Sequence, residues 1–227
     1  LSVSDVDAGG NSLEVTLSVA HGTLSLSGIT GLTFSAGDGT GDAAMTFSGT
    51  AAAINAALAG LVYTPDANFN GSDALNIVTS DLGNSGSGGA QTDSDSIAIT
   101  VNPVNDAPTG TDDTITLDED ASHTFSAGDF GYSDVDGDAF VSVRITTLPA
   151  AGTLQLDGVD VSAGDTVPVA DLGDLVFTPA ANGNGTAYAS FTFEVFDGTA
   201  HDTTPKTITF NVTAINDAPV NGVPGTQ

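Results

Sequence analysis

Apolar and polar residues alternate along several short segments of the chain. In residues 190–196 (SFTFEVF), 207–212 (TITFNV) and 96–101 (SIAITV), every second residue is Phe, Ile or Val. A period of two predicts β-strands with one buried face. Clusters of Gly, Asn, Asp and Pro separate these segments at short intervals, as turns require. The pattern predicts an all-β chain of short antiparallel strands.

One segment departs from this alternation. In residues 50–61 (TAAAINAALAGL), apolar side chains recur at helical spacing at Ile54, Ala57 and Leu58. Thr50 stands directly before the run, where its hydroxyl can cap a helix. We therefore expect at most one or two short helices in an otherwise all-β chain.

Four motifs occur twice along the chain and in the same order. Each pair places similar letters in the two halves: SDVDAGG (4–10) and SDVDGDA (133–139), GTLSLSG (22–28) and GTLQLDG (152–158), LVYTPDANFNG (61–71) and LVFTPAANGNG (175–185), VNDAP (104–108) and INDAP (215–219). The chain is therefore a tandem repeat. Short strands in units of about 110 residues predict a β-sandwich of immunoglobulin type for each copy.

The two copies are not in phase with the ends of the chain. Copy two carries residues 111–132 ahead of its SDVD motif, and copy one has no matching segment. We predict an N-terminally truncated repeat at 1–107, a complete repeat at 108–218 and the start of a third at 219–227. We also expect an exposed sheet edge in the first repeat, which the tail (220–227) of a neighbouring molecule could fill.

The charge balance excludes several kinds of partner. The chain has 29 acidic residues against Arg144 and Lys206, giving a net charge of −27, and 26 of the acids are Asp. With so little positive charge to neutralise phosphates, nucleic acid and anionic membrane surfaces are excluded. No apolar run approaches the length of a membrane span, so we expect no direct membrane insertion. The excess of Asp over Glu is typical of turns and of calcium ligands.

Nothing in the sequence favours catalysis. The three His residues are scattered, no nucleophile motif is present, and there is no Cys for a disulfide or a thiolate metal site. With so many Asp residues, chance pairs of carboxylates are inevitable, and the chain has no Trp to form a sugar platform. We therefore predict that the protein is not an enzyme.

The ordered motifs resemble a known class of repeats. SDVDG, GTL, YTPDANFNG and VNDAP together resemble the tandem cadherin-like repeats of large bacterial surface and secreted proteins, of the VCBS and RTX-adhesin type. The resemblance covers essentially the whole chain. It implies two tandem immunoglobulin/cadherin-like β-sandwich domains, an extracellular location, calcium binding, and a role in cell adhesion or biofilm formation.

A weaker resemblance to cadherins implies specific calcium ligands. Cadherin domains bind Ca²⁺ between a linker of Asp and Asn residues, an Asp-x-Asp pair, a later Asp and an N-terminal Glu. Carried over by position, the implied ligands are Asn105 and Asp106 in the linker, Asp134 and Asp136 as the pair, Asp197 as the later Asp, Glu119 with Asn216 and Asp217 at the next linker, and Asp73 in copy one.

Several positions depart from the cadherin pattern. Pro103 and Ala107 stand where cadherin linkers carry ligands, and Ala187 replaces the copy-one Asp73 in copy two. The resemblance therefore implies one calcium ion at the joint rather than three.

The residues themselves allow two interpretations of these motifs. Alternate residues of an extended chain point to the same side, about 6.6 Å apart, so Asp134 and Asp136 can reach one cation. Calcium takes six to eight oxygen ligands, which carboxylates, the Asn105 amide and carbonyl groups can supply. Asn-Asp-Ala-Pro and Ser-Asp-Val-Asp-Gly are, however, also ordinary turn sequences.

Together these observations predict a calcium-binding structural or adhesive repeat of a bacterial surface or secreted protein, with Ca²⁺ stiffening the joint between repeats. Its partners would be the neighbouring repeats of the same chain, with homophilic contacts, other surface proteins or glycans as further candidates. The alternatives are a glycan- or protein-binding module and a non-catalytic appendage of a secreted enzyme.

Overall fold

A computed structural model describes residues 1–84 and 88–219 of the chain. It divides into two compact units, Leu1–Val104 and Asn105–Gln227. Both units consist mainly of β-sheet, which confirms the predicted all-β sandwich class. The start of a third repeat was predicted at 219–227, of which residues 220–227 lie outside the described residues.

Within its described residues, the first unit contains two sheets and one helix. Its elements are β1 (Ser12–Ser18), β2 (Gly22–Ser25), β3 (Thr33–Ala36), β4 (Ala44–Thr50), α1 (Ala51–Leu58), β5 (Val62–Pro65), β6 (Gly71–Ser80) and β7 (Thr92–Val101). One sheet has the order β3-β4-β1-β6-β7, and β2 pairs with β5 in the other. Alternate residues of β1 and β4, including Leu13, Val15 and Phe47, are fully buried in the core.

Helix α1 forms where the sequence predicts it. The Thr50 hydroxyl accepts a hydrogen bond from the Ala53 N–H at 3.3 Å, and Ile54, Ala57 and Leu58 are buried. On the same helix, the Asn55 side chain accepts from the Val3 N–H at 2.7 Å and donates to the Val3 carbonyl at 2.8 Å. The helix therefore anchors the segment that precedes the first acidic loop.

The second unit has nine strands within its described residues. They are β8 (Asp113–Asp118), β9 (His123–Thr124), β10 (Ser142–Ile145), β11 (Thr153–Leu156), β12 (Val159–Asp160), β13 (Thr166–Pro168), β14 (Leu175–Thr178), β15 (Gly185–Phe196) and β16 (Lys206–Thr213), with 3₁₀ helices at Ala127–Phe130 and Val169–Asp174. The sheets have the orders β13-β10-β15-β16-β8 and β12-β11-β14-β9.

The alternation read from the sequence sets the core of the second unit. Phe191, Phe193 and Val195 of β15 are fully buried, as are Ile208 and Phe210 of β16. One pairing differs from the expectation of antiparallel strands, because β8 lies parallel to β16. The alternation of apolar and polar residues predicts which face of a strand is buried, but it does not predict the direction of the neighbouring strand.

The boundary between the units falls between Val104 and Asn105, whereas the sequence analysis placed it after Ala107. Asn105 and Asp106 belong to the second unit because they hydrogen-bond to Asp197 and Asp136 of that unit. The linker motif is thus the first structural element of the repeat that follows it.

Candidate metal centre

The linker and the SDVDG loop of the second unit are joined by backbone hydrogen bonds. The Thr109 N–H donates to the Ser133 carbonyl at 2.8 Å, and the Ser133 N–H donates to the Thr109 carbonyl at 2.9 Å. This reciprocal pair aligns the chain leaving the NDAP motif with the chain entering the acidic loop. The linker residues 105–108 therefore lie beside residues 134–138.

The acidic loop is a turn organised by one carboxylate. Asp134 Oδ1 accepts hydrogen bonds from the backbone N–H groups of Asp136 at 2.8 Å and Asp138 at 3.2 Å. Gly137 has a φ of +79°, a conformation that favours glycine and lets the chain turn back. The turn brings carboxylate oxygens of Asp134, Asp136 and Asp138 within 4.8 Å of one another.

One carboxylate oxygen in this turn has no hydrogen-bond partner among the described residues. Asp134 Oδ2 is buried and accepts no hydrogen bond within the described residues. A buried carboxylate oxygen without a donor costs free energy, so such atoms are uncommon unless water or an ion satisfies them. The Asp134 carboxylate thus uses one oxygen to shape the loop and leaves the other free for a ligand.

The linker donates hydrogen bonds to two acidic side chains of the second unit, Asp197 and Asp136. Asn105 Nδ2 donates to Asp197 Oδ2 at 3.0 Å and to the Asp106 carbonyl at 2.8 Å. The Asp106 N–H donates to Asp136 Oδ2 at 2.7 Å. A rotation of the Asn105 side-chain amide by about 180° would exchange its oxygen and nitrogen. The oxygen would then face Asp197, and the side chain could ligate a cation.

Asp197 follows β15 and is only 8% exposed. Its Oδ1 accepts from the N–H groups of Thr199 and Ala200 at 2.5 and 2.6 Å. Burial acts to raise the pKa of Asp197, but the hydrogen bonds from Ala200 and Asn105 outweigh it and hold the pKa below its usual range. The group is therefore a carboxylate near neutral pH.

The pKa of Tyr132 is raised by burial and by the negative charges near it. Its hydroxyl donates to the Asp138 carbonyl at 2.9 Å. Burial, and then the charges of Asp134 and Asp197, raise the pKa of Tyr132 to about 12. An additional negative charge is disfavoured here because the nearby carboxylates already repel it.

Among the described residues, neither Arg144 nor Lys206, the only Arg and Lys of the chain, neutralises these carboxylates, because each pairs with an acid outside the cluster. Arg144 of β10 pairs with Glu194 on the neighbouring strand β15, and Lys206 Nζ lies 3.6 Å from Asp202 Oδ2. An all-oxygen cluster with unbalanced negative charge has the donor chemistry of a site for a hard divalent cation.

A second group of predicted ligands lies at the other linker. Glu119 follows β8 and is 6% exposed. Its Oε1 accepts from the Ile215 N–H at 2.8 Å and its Oε2 from Asn184 Nδ2 at 3.1 Å. Glu119 therefore lies against the residue that directly precedes Asn216, while Asn216 and Asp217 are exposed. That these three residues bind calcium stays a prediction.

Asp73 lies in the first unit with both of its oxygens in use. Oδ1 accepts from the N–H groups of Ala20 and Ala74, and Oδ2 accepts from the His21 N–H and the Tyr63 hydroxyl, at distances of 2.7 to 3.1 Å. Burial acts to raise the pKa of Asp73, but these four bonds lower it to about 2. The Asp73 carboxylate therefore holds neighbouring segments of the first unit together. Because both of its oxygens accept hydrogen bonds from the protein, Asp73 is not part of the proposed metal centre.

The first unit repeats the loop geometry at its own SDVD motif. Asp5 Oδ1 accepts from the N–H groups of Asp7 and Ala8, both at 3.0 Å, and so shares with Asp134 Oδ1 the bond from the residue two positions ahead. Asp81 Oδ1 accepts from the N–H groups of Gly83 and Gln91, as Asp197 does. The acidic loops are therefore structural features of the repeat that form in both copies.

Asp138 is a candidate ligand that the sequence analysis missed. The resemblance to cadherins directed attention to the pair at 134 and 136. The signal was present in the sequence as a third Asp at the same spacing of two, and the turn at Gly137 brings it into the group.

Residues 105–213 match the family model described as bacterial Ig domain. The match begins at the linker and includes the acidic loop and all strands from β8 to β16. The second unit is therefore similar to a bacterial Ig domain, in agreement with its β-sandwich fold. No curated protein sequence matches the chain.

Solved structures give weaker likenesses. An endo-fucoidan hydrolase of glycoside hydrolase family 107 is 22% identical, with a TM-score of 0.30, over 89% of this chain and 24% of that one. The extracellular cadherin domains 1–5 of protocadherin gamma B2 are 13% identical, with a TM-score of 0.41, over 88% of this chain and 34% of that one. The chain thus spans about a third or less of both structures, and neither likeness carries an argument about function.

Among the helices within residues 1–84 and 88–219, none is long and apolar enough to cross a membrane.

Proposed function

We propose that the chain is a calcium-binding structural repeat of a bacterial cell-surface or secreted adhesin, in which Ca²⁺ fixes the linker to the repeat that follows it. The observation that supports this most strongly is the contact of Asn105 and Asp106 with the carboxylates of Asp197 and Asp136. The similarity of residues 105–213 to a bacterial Ig domain supports a non-catalytic module.

The donor set favours calcium over other divalent cations. The cluster offers carboxylates, backbone carbonyls and the Asn105 amide, all of them oxygen ligands. Zinc prefers sulfur and nitrogen donors. Magnesium requires near-ideal octahedral geometry, whereas a turn with several converging carboxylates suits the larger and more flexible coordination of calcium.

The mechanism follows from electrostatics. Two carboxylates whose oxygens lie within 4.8 Å of each other repel by roughly 3.5 kcal/mol or more at an effective dielectric constant of 20, before salt and solvent screen them. A bound dication converts this repulsion into attraction among the same groups. Since Asp106 is part of the linker and Asp134 is part of the loop, the ion would tie the linker to the loop and order it.

The proposed number of ions is one. Pro103 and Ala107 supply no side-chain oxygen in the linker, and Asp73 is occupied by four protein donors. An exposed centre with one ion is expected to bind in the range of about 0.1 to 1 mM, typical of extracellular modules.

Small-angle X-ray scattering and amide hydrogen exchange of the full chain test this function. With 10 mM calcium we expect a narrower distribution of interatomic distances than in chelator. We also expect slower hydrogen exchange at the Asp106 N–H. The Asp134→Asn variant should lose both effects. The Asp171→Asn variant, which removes an equal charge from an exposed position of a 3₁₀ helix, should keep them. Identical scattering and exchange with and without calcium would reject the proposed role.

A further inference from the structure

The two acidic loops of the candidate metal centre share one construction. In each loop a carboxylate oxygen accepts from two backbone N–H groups of the same loop, Asp134 Oδ1 in residues 133–139 and Asp197 Oδ1 in residues 197–200. The second oxygen takes no part in this bonding. Asp134 Oδ2 is buried without a donor among the described residues, and Asp197 Oδ2 accepts from Asn105 of the linker. Each loop thus holds its carboxylate by one oxygen and leaves the other for groups outside the loop.

A pair of stacked aromatic rings closes the base of each loop. Tyr132 and Phe140 directly flank residues 133–139, and their ring centroids lie 4.7 Å apart at an interplanar angle of 13°. Phe196 and His201 directly flank residues 197–200, with centroids 4.5 Å apart at an angle of 28°. These two residues also form an isolated β-bridge. Each stack therefore joins the chain that enters an acidic loop to the chain that leaves it.

Both stacks are attached to the β-sandwich of the second unit. Phe130, which is fully buried, packs against Phe140 with ring centroids 6.4 Å apart. The N–H of Val141, the residue after Phe140, donates to the Phe196 carbonyl at 2.9 Å. The bases of the two loops are therefore adjacent, and their positions are set by the core and by the pairing of β10 with β15.

The stacks oppose an electrostatic cost that the loops carry. Carboxylates that converge on one point repel, and without a cation this repulsion favours an open loop. The hydrogen bonds inside residues 133–139 are exposed to water, which competes for their N–H groups. Ring stacking depends on contact area and on the ring quadrupoles, so repulsion between carboxylates does not weaken it. The four rings are half-buried, and their contacts can keep the loops closed when no ion is present.

We propose that the Tyr132–Phe140 and Phe196–His201 stacks are positioning elements, which hold the two acidic loops closed before a divalent cation binds. This role rests on the proposed calcium-binding function. The rings act through the carboxylates and do not themselves contact the ion. Because the loops are closed beforehand, the free energy of binding is available to order the linker rather than the loops. An open loop cannot bind, so the apparent affinity falls with the fraction of closed loops.

Amide hydrogen exchange of the full chain in chelator tests the stacks without any ion. Phe140→Leu and His201→Leu each remove one ring, whereas Phe140→Tyr and His201→Phe keep it. His201 Nδ1 has no hydrogen-bond partner among the described residues, so a Phe ring loses no bond at that atom. We expect Phe140→Leu to speed exchange of the two N–H groups that donate to Asp134 Oδ1 about three- to tenfold. His201→Leu should do the same at the N–H groups that donate to Asp197 Oδ1. The ring-retaining variants should stay within about twofold of the unsubstituted chain at both loops.

Tyr188→Leu is the matched control. Tyr188 is another half-buried ring of the second unit that packs against its core, and it lies outside both loops. Its replacement should lower the melting temperature as the other Leu variants do, but it should leave exchange at both loops within about twofold. Equal acceleration by Tyr188→Leu would show that lost core packing is the cause, and it would overturn the proposal. Unchanged exchange in both Phe140→Leu and His201→Leu would overturn it as well.

Two further measurements keep the test decisive. In the unsubstituted chain in chelator, the four N–H groups should exchange at least about tenfold slower than in an unfolded chain. Their lack of protection would overturn the proposal even where a Leu variant does not fold. Calorimetric titration with calcium should give a dissociation constant that rises in the Leu variants by up to the same factor as the exchange, and that is unchanged in the ring-retaining variants. If the unsubstituted chain binds no calcium, the proposed function fails, and exchange in chelator still decides whether the stacks hold the loops.

Discussion

Replacing Asp134 with Asn separates two electrostatic effects that meet in the candidate metal centre. Asn keeps a carbonyl oxygen that can accept from the N–H groups of Asp136 and Asp138, so the turn can persist. The substitution removes one negative charge and the buried oxygen that has no protein donor. In the absence of calcium it should relieve repulsion, and in its presence it should remove a ligand.

The substitution should change the free energy of unfolding in opposite directions in chelator and in calcium. In chelator, screening reduces the repulsion between partly exposed carboxylates, and the variant should gain about 1 kcal/mol in its free energy of unfolding. For a dissociation constant of about 0.1 mM, 10 mM calcium stabilises the wild-type chain by about 2.7 kcal/mol. If the lost ligand weakens binding a hundredfold, the variant gains only about 0.4 kcal/mol from the same calcium.

Differential scanning calorimetry of the second unit's transition in the full chain measures this reversal. For a unit of about this size, 1 kcal/mol shifts the melting temperature by roughly 4 °C. Relative to wild type, Asp134→Asn should melt roughly 4 °C higher in chelator and roughly 5 °C lower in 10 mM calcium. Asp171→Asn serves as the charge-matched control and should behave like wild type in both conditions. If Asp134→Asn and Asp171→Asn shift alike in both buffers, the electrostatic reasoning is wrong.

Three further predictions concern other ionisable groups. Asp73 has a pKa of about 2, compared with 3.8 for a free side chain, so its contribution to stability is complete above about pH 4 and is lost as the pH falls towards 2; Asp73→Asn should melt several degrees lower at pH 7 and show a flatter acid profile. Tyr132 has a pKa of about 12, and a bound calcium ion should lower it because the ion offsets the charges of the nearby carboxylates. Ultraviolet absorbance, with Tyr132→Phe as the control, measures this titration, and an unchanged pKa in calcium would show that the ion binds elsewhere. Glu119→Ala should cost about 1 to 3 kcal/mol and speed exchange at Ile215, because the Asn184 amide and the Ile215 N–H lose their acceptor; unchanged exchange would contradict this role.

Local patterning predicted the elements that depend on one segment at a time. The alternating residues of β7, β15 and β16 form strands, and Thr50 caps a helix, because side-chain period and capping act within a few residues. The parallel pairing of β8 with β16 was not predicted. It joins segments about 95 residues apart, and their side-chain pattern is the same for either direction.

The candidate site was predicted in its components and only partly in its assembly. The repeats indicated that the linker and the SDVDG loop belong together, and the structure joins them through Thr109 and Ser133. The sequence could not show that Asp73 has four protein donors, since two of them, the N–H groups of Ala20 and His21, lie 53 and 52 residues away along the chain. Nor could it show which oxygen of Asp134 is left without a donor, because that depends on how the turn closes.

A calcium titration of the isotope-labelled full chain, followed by backbone amide chemical shifts, tests the central claim most directly. The N–H groups of Asp106, Asp136 and Asp138 donate to carboxylates of the cluster, so they report ligation of those carboxylates. We predict saturable shifts at these three amides that fit one dissociation constant of about 0.1 to 1 mM and are absent in Asp134→Asn. Shifts that rise linearly to 20 mM calcium, or that spread evenly over the acidic residues of both units, would contradict a calcium site at the linker.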